Sequence, residues 1–337
     1  MKSSCIKFGV TLKVSDIDTA IKFARTVEKL GFDSIHLSDH ISEPLETLTT
    51  LTAIAMNTEK LKIATGILDM NRRNPATLAH VTATLDAISG GRLILGVGCG
   101  MLNYASYNVL NIGDTGRIKV SRKVSRAEEA IEVLKKFWTE PIVNYKGKFY
   151  TFDKASIKVK PLQKPHPPIW VAAYGTRMKR MAARLGDGFI TQTLPPFMYK
   201  EEVEKVRGFA KEFGKDPMKI RNVLTTITSV GQTSNEALMS IRENAQKLLF
   251  LSIRYHHNHH LRLAERLDYG EPIPWIKPED IPSEALRQIY IIGSPEEVIT
   301  RIEEYSKCGM TYLVAMGLDK IDSLKLFSER VISYFKN

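Results

Sequence analysis

Short apolar segments alternate with amphipathic ones along the chain, and this alternation predicts an α/β protein. The segments 33–37, 61–65 and 92–97 are short, apolar and bounded by glycine or polar residues, as buried strands are. In the intervals between them, apolar residues recur every three to four positions, which predicts helices that each bury one face. Two helices, opening at Ser15-Asp16-Ile17-Asp18 and at Ser294-Pro295-Glu296-Glu297, are predicted to begin with a capping box.

The number and spacing of these segments predict a single (β/α)8 TIM barrel of class α/β. Strands are predicted at residues 6–10, 33–37, 61–65, 92–97, 169–173, 188–191, 223–230 and 311–315. One domain over residues 1–337 accommodates them. Insertions are predicted after strand 4, as a helix at 121–138 and a hairpin at 143–152, and after strand 7, as a mostly helical stretch at 234–292. In such barrels the chemistry lies at the carboxyl ends of the strands.

Gly96, Gly98 and Gly100 follow the apolar part of the fourth strand and raise the question of a nucleotide-binding turn. A dinucleotide-binding turn has the spacing G-x-G-x-x-G after the first strand and opens a helix. The spacing here is G-x-G-x-G after the fourth strand, and no helix is predicted directly after it. The pattern argues against a dinucleotide-binding fold, and we interpret the glycines as opening the barrel mouth to a flat ring.

Charge and cysteine content narrow the class of protein further. The formal net charge is +11, and basic residues concentrate in GRIKVSRKVSR, which is either a solvated helix start or an anion-binding rim. No nucleic-acid motif with interleaved aromatic residues occurs, and no uncharged apolar run approaches the roughly 18 residues of a spanning helix. Three cysteines without a CxxC pair predict a reduced, cytoplasmic protein without structural zinc.

A histidine cluster, Tyr255-His256-His257-Asn258-His259-His260, raises the question of a metal site. On a helix, His256 and His260 would share one face. No carboxylate stands where an HExxH site requires one, and three arginines nearby would repel a cation. We therefore predict no metal and interpret the segment as a surface or mouth-covering helix.

Five segments, taken in order, resemble the bacterial-luciferase-like superfamily and, within it, the oxidoreductases that depend on the deazaflavin coenzyme F420. They are GFDSIHLSDHI, IATGI, RNPATLAHVTATLDAISGGRLILGVGCG, PHPPIWVAAYGTRMKRMAARLGDGFI and GSPEEVITRIEEYSKCG. Each is weakly specific alone, whereas all five in this order on a predicted barrel are specific. The C-terminal stretch MGLDKIDSLKLFSERVISYFKN is most similar to the methylenetetrahydromethanopterin reductases. The resemblance covers nearly the whole chain and implies a flavin or deazaflavin at the barrel mouth.

Asp39 and His40 follow the second predicted strand. Asp39 has the chemistry to accept hydrogen bonds from a ring or ribityl group, and His40 has the chemistry to protonate a substrate or stabilise a developing charge. A lone histidine is more often structural than catalytic. The strand-end position and the resemblance together favour His40 as the catalytic acid or base.

The resemblance also assigns cofactor-binding residues after the third and fourth strands. It implies that Thr65, Gly66 and Ile67 contact the cofactor and that the Gly66–Ile67 peptide is cis and bulges against the ring. The alternative is an ordinary strand end with a flexible glycine. Gly98 and Asn103 are the residues implied after the fourth strand.

After the fifth strand, the resemblance implies a site for the cofactor phosphate. Its residues are Ala173, Tyr174, Gly175 and Thr176, the last two at a predicted helix start. Free N–H groups at a helix start suit an anion. The alternative is a plain N-cap.

The chain departs from the family pattern at three places. Met101 stands where the sugar-phosphate, alcohol and reductase groups carry an acid after the strand-four glycines. Thr11 stands where the reductase group has another acid, after the first strand. The segment Thr191–Pro196 lacks the lysine that holds a sugar phosphate. Glucose 6-phosphate is therefore not expected as the substrate.

The sequence predicts an oxidoreductase that transfers a hydride between F420 and a small organic substrate, with a methylene-tetrahydropterin-type reductase as one candidate. FMN is the alternative cofactor. Two other functions stay open: an FMN-dependent luciferase-like monooxygenase and a non-catalytic flavin-binding protein. We expect no nucleic-acid or membrane partner. We expect a homodimer or higher homo-oligomer, formed through helices near 46–58 and 75–89.

Overall fold

The structure is a computed structural model that describes residues 6–13, 15–40, 43–100, 120–255 and 277–336. Within these ranges, no helix is both long enough and apolar enough to span a lipid bilayer.

Eight parallel strands close into a barrel, which confirms the predicted fold. They are β1 Lys7–Thr11, β2 Ser34–Leu37, β3 Lys62–Thr65, β4 Leu93–Gly98, β5 Ile169–Ala172, β6 Gly188–Gln192, β7 Arg221–Val230 and β8 Tyr312–Met316. Each strand pairs with the next, and β8 pairs with β1, where Gly9 aligns with Val314. The carboxyl ends of all eight strands therefore lie on one rim, which we call the barrel mouth.

Helices cover the outside of the barrel. They are α1 Ile17–Lys29, α2 Thr47–Met56, α3 Pro75–Ile88, α4 Val120–Thr139, α5 Thr176–Leu185, α6 Pro196–Glu212, α7 Ser234–Tyr255, α8 Ser283–Ile289, α9 Pro295–Lys307 and α10 Ile321–Leu326. After α10 the chain continues through a π-helical turn, Phe327–Ile332, into α11 Ser333–Lys336.

The prediction of helix up to residue 292 was wrong at its end. Ile291–Gly293 forms a short strand that pairs in parallel with the last residues of β7. Three residues are too few for a helical period to show, and both isoleucines are buried. Another short strand, Leu68–Asp69, pairs with the end of β4.

The two predicted capping boxes have different outcomes. At the start of α9, Ser294 and Glu297 form the predicted box, with the Ser294 N–H donating to Glu297 Oε2 at 2.7 Å. At the start of α1 the prediction was wrong. The helix begins one residue later, and Asp16 alone caps it by accepting from the Thr19 N–H at 2.9 Å.

The insertion after β4 contains the predicted hairpin, with antiparallel strands Val143–Lys146 and Thr151–Ala155. The carboxylate of Glu129, on α4, accepts the backbone N–H groups of Lys148, Phe149 and Tyr150 at 3.1, 2.9 and 2.8 Å. A buried carboxylate is tolerated when such donors surround it. This contact fixes the hairpin turn on α4.

Side chains fill the inside of the barrel, and a larger core lies between the strands and the helices. The inner core is formed by Ala64, Ile94, Trp170, Ile190, Val223, Tyr312 and Val314. Its two large rings, Trp170 and Tyr312, pack edge to face with centroids 4.9 Å apart. A Cβ at Gly188 would lie 2.5 Å from Trp170 Cδ1, so glycine there makes room for the indole. The inner core closes the barrel below the mouth.

Candidate active site at the barrel mouth

The structure brings the predicted site residues together on one side of the mouth, at four neighbouring strands. Asp39 and His40 follow β2, Thr65–Ile67 end β3, Gly98 ends β4, and Ala173–Thr176 follow β5. The exposed residues among them are Gly66, Gly175 and Thr176, and the half-buried ones are His40, Ile67 and Tyr174.

The end of β3 crowds against β4. The Gly66–Ile67 peptide is cis, as the resemblance implied. The Thr65 hydroxyl donates to the Gly96 carbonyl at 2.6 Å, and the Thr65 carbonyl occupies the place of a Gly96 side chain. A Cβ at Gly98 would lie 2.5 Å from Ile67 Cδ1. These two glycines therefore make room for β3 itself, a more local reason than the flat ring inferred from the sequence.

The carboxylate of Asp39 is held by protein groups. Arg73 Nη1 and Nη2 donate to Asp39 Oδ2 and Oδ1 at 2.6 and 2.8 Å, and the Asp69 N–H donates to Oδ2 at 3.2 Å. Arg72 Nη1 lies 3.4 Å from Oδ2 and also donates to the Asp39 carbonyl. The Asp39 side chain is 4% exposed. Its contacts fix the segment after β3 to the end of β2.

The segment after β3 is also tied to β4. The Asn71 N–H donates to Asp69 Oδ1 at 2.9 Å, and Asn71 Nδ2 donates to the Cys99 carbonyl at 2.9 Å. We call the group formed by Asp39, Asp69, Asn71, Arg72 and Arg73 the closed sector of the mouth. The sequence analysis named Asp39 and missed the other four members, Asp69, Asn71, Arg72 and Arg73.

The end of β5 is different, because the N-cap of the helix after it is a glycine, which has no side chain to cap the helix with. Gly175 is the N-cap of α5 and makes no side-chain cap hydrogen bond. A Cβ built on Gly175 meets no atom of the described residues within 4 Å. Tyr174, before it, is hydrogen-bonded to the side chain of Gln192, and burial raises the pKa of the Tyr174 phenol. In an α-helix the N–H groups of the first turn have no intrahelical partners, and such groups suit an anion. We call Tyr174, Gly175 and Thr176 the open sector.

Other predicted residues are placed as follows. His40 is half-buried, and its carbonyl accepts the Glu43 N–H at 3.0 Å. Thr11, which stands where relatives carry an acid, ends β1 at the mouth and is half-buried. Met101, Asn103 and His256–His260 lie outside the described residues.

A buried histidine that the sequence analysis did not single out lies on β2 below the mouth. His36 Nε2 is 2.7 Å from Ser34 Oγ, and Tyr312 Oη donates to the same hydroxyl at 2.7 Å. Burial lowers the pKa of His36 to about 3. The imidazole is therefore neutral at physiological pH. The signal available in the sequence was a histidine between the apolar residues Ile35 and Leu37 of a predicted buried strand.

Curated relatives extend over nearly the full chain. The F420-dependent glucose-6-phosphate dehydrogenase of Amycolatopsis mediterranei is 27% identical over 325 residues, covering 93% of this chain and 92% of that protein. The 5,10-methylenetetrahydromethanopterin reductase of Methanopyrus kandleri is 26% identical over 353 residues, covering 98% of this chain and 99% of the relative.

The fold has a similar solved counterpart. The coenzyme F420-dependent tetrahydromethanopterin reductase from Methanopyrus kandleri superposes with a TM-score of 0.82 at 24% identity, over 98% of this chain and 99% of that one. Residues 4–312 match the model of the luciferase-like monooxygenase family, and the chain belongs to that family.

Proposed function

We propose that the protein is an oxidoreductase that transfers a hydride between coenzyme F420 and a small organic substrate. The observation that carries this proposal is the open sector: an uncapped helix N-terminus at the mouth, on the same rim as exposed Gly66. One relative that covers most of the chain is named an F420-dependent dehydrogenase, and that name suggests the cofactor.

The residues of the mouth fit such a cofactor. No described residue fills the space beside Gly175, and a helix start of this kind suits a phosphate. Gly66 is exposed at the end of β3, where Ile67 is half-buried and able to contact a ring. The deazaflavin, when bound, supplies the hydride chemistry.

The chain's own residues then position the cofactor and exchange a proton with the substrate. The open sector holds the phosphate, and the closed sector keeps the segment after β3 in place beside the ring. His40, half-buried at the end of β2, is the candidate to give or take a proton at the substrate. Asp39 acts through Arg73 as a positioning residue, because its oxygens already have partners.

For the substrate, we propose a methylene-tetrahydropterin-type compound as the first to test. One full-length relative is named a methylenetetrahydromethanopterin reductase. The segment after β6, Thr191–Pro196, contains no lysine to hold a sugar phosphate. Another relative is named a glucose-6-phosphate dehydrogenase, so that sugar phosphate is the matched negative control.

The second candidate function is an FMN-dependent monooxygenase, which the family's own description favours. Titration with F420 and with FMN, each followed by fluorescence, separates the two, together with oxygen uptake in the presence of reduced cofactor. We expect tight binding of F420 and no oxygen uptake. Preferential binding of FMN with oxygen consumption would place the monooxygenase first.

We also propose a homodimer formed through α2 and α3. These helices contain no lysine or arginine, and their one acidic residue, Asp86, is buried. Their surface nevertheless exposes apolar side chains, with Met56 73%, Val81 42% and Ile88 44% exposed. An uncharged helix face of this kind is typical of an interface. Light scattering should give a dimer at micromolar concentration, and Val81→Glu should shift it toward monomer; a monomeric unmodified protein would contradict the proposal.

We further infer that residues 1–337 form one domain located in the cytoplasm. The first and last barrel strands pair with each other, so both ends of the chain complete the same barrel. The three cysteines contain no CxxC pair, as is usual for a reducing compartment.

A further inference from the structure

The hydrogen bonds around His36 favour one of its two neutral tautomers. Tyr312 Oη donates to Ser34 Oγ, and burial raises the pKa of the Tyr312 phenol, so this phenol keeps its proton. Ser34 Oγ accepts the hydrogen bond from Tyr312, and we infer that Ser34 donates its own proton to His36 Nε2, 2.7 Å away. Since a neutral imidazole carries one N–H, the proton must then be on Nδ1.

The Nδ1 edge of His36 lies toward the mouth. Ser34 is two residues nearer the amino end of β2, so Nε2 is directed away from the mouth. A Cβ built on Gly66 would lie 3.1 Å from His36 Cβ and 3.7 Å from Nδ1. Because residue 66 is an exposed glycine, no side chain from that position covers this edge. His36 itself keeps 3% of its surface accessible.

The space around the ring is made by two glycines. A Cβ on Gly9, on the neighbouring β1, would lie 2.9 Å from His36 Nε2, and Gly66 leaves room on the side of β3. Among the described residues, Ser34 is the recorded hydrogen-bond partner of the imidazole. A buried N–H without a partner costs about 1–3 kcal/mol, so a donor on Nδ1 is stabilised when a ligand at the mouth accepts from it.

We propose that His36 is a cofactor-positioning residue that donates its Nδ1–H from the floor of the mouth to an acceptor atom on the ring bound beside Gly66. The Tyr312–Ser34 pair holds the imidazole in the tautomer that makes this donor. The inference rests on the proposed function, because it takes the ring to be that of F420. It gives a role to three residues that the proposed chemistry does not use.

The tautomer can be measured without any cofactor. Histidine labelled with nitrogen-15 in the ring would be incorporated, and His36→Phe would assign the His36 signals. We expect the shifts of a neutral ring protonated at Nδ1, unchanged across neutral pH. In Ser34→Ala, which removes the donor to Nε2, we expect the ring to change toward the Nε2-protonated form. A ring protonated at Nε2 in the unmodified protein would overturn the proposal whether or not F420 binds.

Binding tests the second half of the proposal. F420 affinity, measured by fluorescence titration, should fall about fivefold to tenfold in His36→Phe and also fall in Ser34→Ala, as the loss of one hydrogen bond predicts. His166→Phe, a partly buried histidine before β5, is the matched control and should bind like the unmodified protein. If the unmodified protein does not bind F420, the proposed function fails. If it does, and folded His36→Phe binds within about twofold of it, the role of His36 is wrong.

Discussion

The two sectors of the mouth differ in the hydrogen-bond partners of their polar groups. In the closed sector the protein supplies them: the Asp39 carboxylate has Arg73 and the Asp69 N–H, and Asn71 reaches across to β4. In the open sector the N-cap of α5 is Gly175, which has no side chain, and within the ranges that the structure describes no atom lies within 4 Å of a Cβ built there. A site of this kind combines a part that is organised before binding with a part whose groups a ligand satisfies.

Removing Arg73 should have the largest effect on stability, because it removes the ion pair at the centre of the closed sector. Arg73→Ala leaves the Asp39 carboxylate, whose side chain is 4% exposed, without its two-point partner. We expect a loss of about 3 kcal/mol or more in the free energy of unfolding, measured in urea. The control is Arg330→Ala, which breaks an exposed pair with Glu296 and should cost less than about 1 kcal/mol. Equal losses in both variants would mean that the closed sector is no better organised than the surface.

His40→Ala should affect turnover rather than assembly of the mouth. His40 follows Asp39 but is half-buried, so it is the member of this strand end that remains able to reach a substrate. We expect turnover to fall by roughly 100-fold, as for loss of a general acid or base, with cofactor affinity nearly unchanged. Turnover equal to that of the unmodified protein would make His40 a structural residue.

A side chain at Gly175 tests the open sector. Gly175 has φ −80° and ψ 158°, an extended conformation that any residue adopts, so Gly175→Val should fold normally. The valine would project into the open space and weaken cofactor binding by roughly tenfold if the phosphate lies there. Gly175→Ala should have a smaller effect in the same titration. Unaltered affinity in both variants would place the phosphate elsewhere.

His36 should contribute to the pH dependence of the free energy of unfolding. Its pKa is lowered to about 3 by burial, whereas an unfolded histidine titrates near 6.5. Between these values the unfolded chain binds a proton that the folded chain does not, so stability falls as pH falls and is fully retained above about pH 6.5. His36→Phe should flatten the slope by up to about 1.4 kcal/mol per pH unit between about pH 4 and pH 6. An unchanged slope would mean that His36 is charged in the folded protein.

The barrel was predictable because its signals are local and repeated. Each strand is a short apolar run, and a helix that buries one face follows each of them, so an error at one element, such as the missed strand Ile291–Gly293, leaves the topology unchanged. The open sector was predictable for the same reason, since a glycine before a helix is visible in the sequence itself.

The closed sector was not predictable from the same signals. Asp39 and Arg73 are 34 residues apart, and nothing in the local pattern says that the acid after β2 points at the arginine after β3. The sequence analysis predicted a cofactor contact for Asp39 and did not predict its hydrogen bonds to Arg73 and to the Asp69 N–H. His36 escaped notice because a histidine within an apolar strand is commonly structural, and its link to Tyr312 spans almost the whole chain.

The contact between β3 and β4 has a consequence for how this chain can vary over evolutionary time. The carbonyl of Thr65 occupies the place of a side chain at position 96, and Ile67 occupies that of position 98. A side chain at position 96 would meet the backbone of Thr65, so a mutation there requires that the end of β3 change its path, whereas a side chain at position 98 requires only that the Ile67 side chain move. The path of the chain at position 65 and glycine at position 96 should accordingly be inherited together.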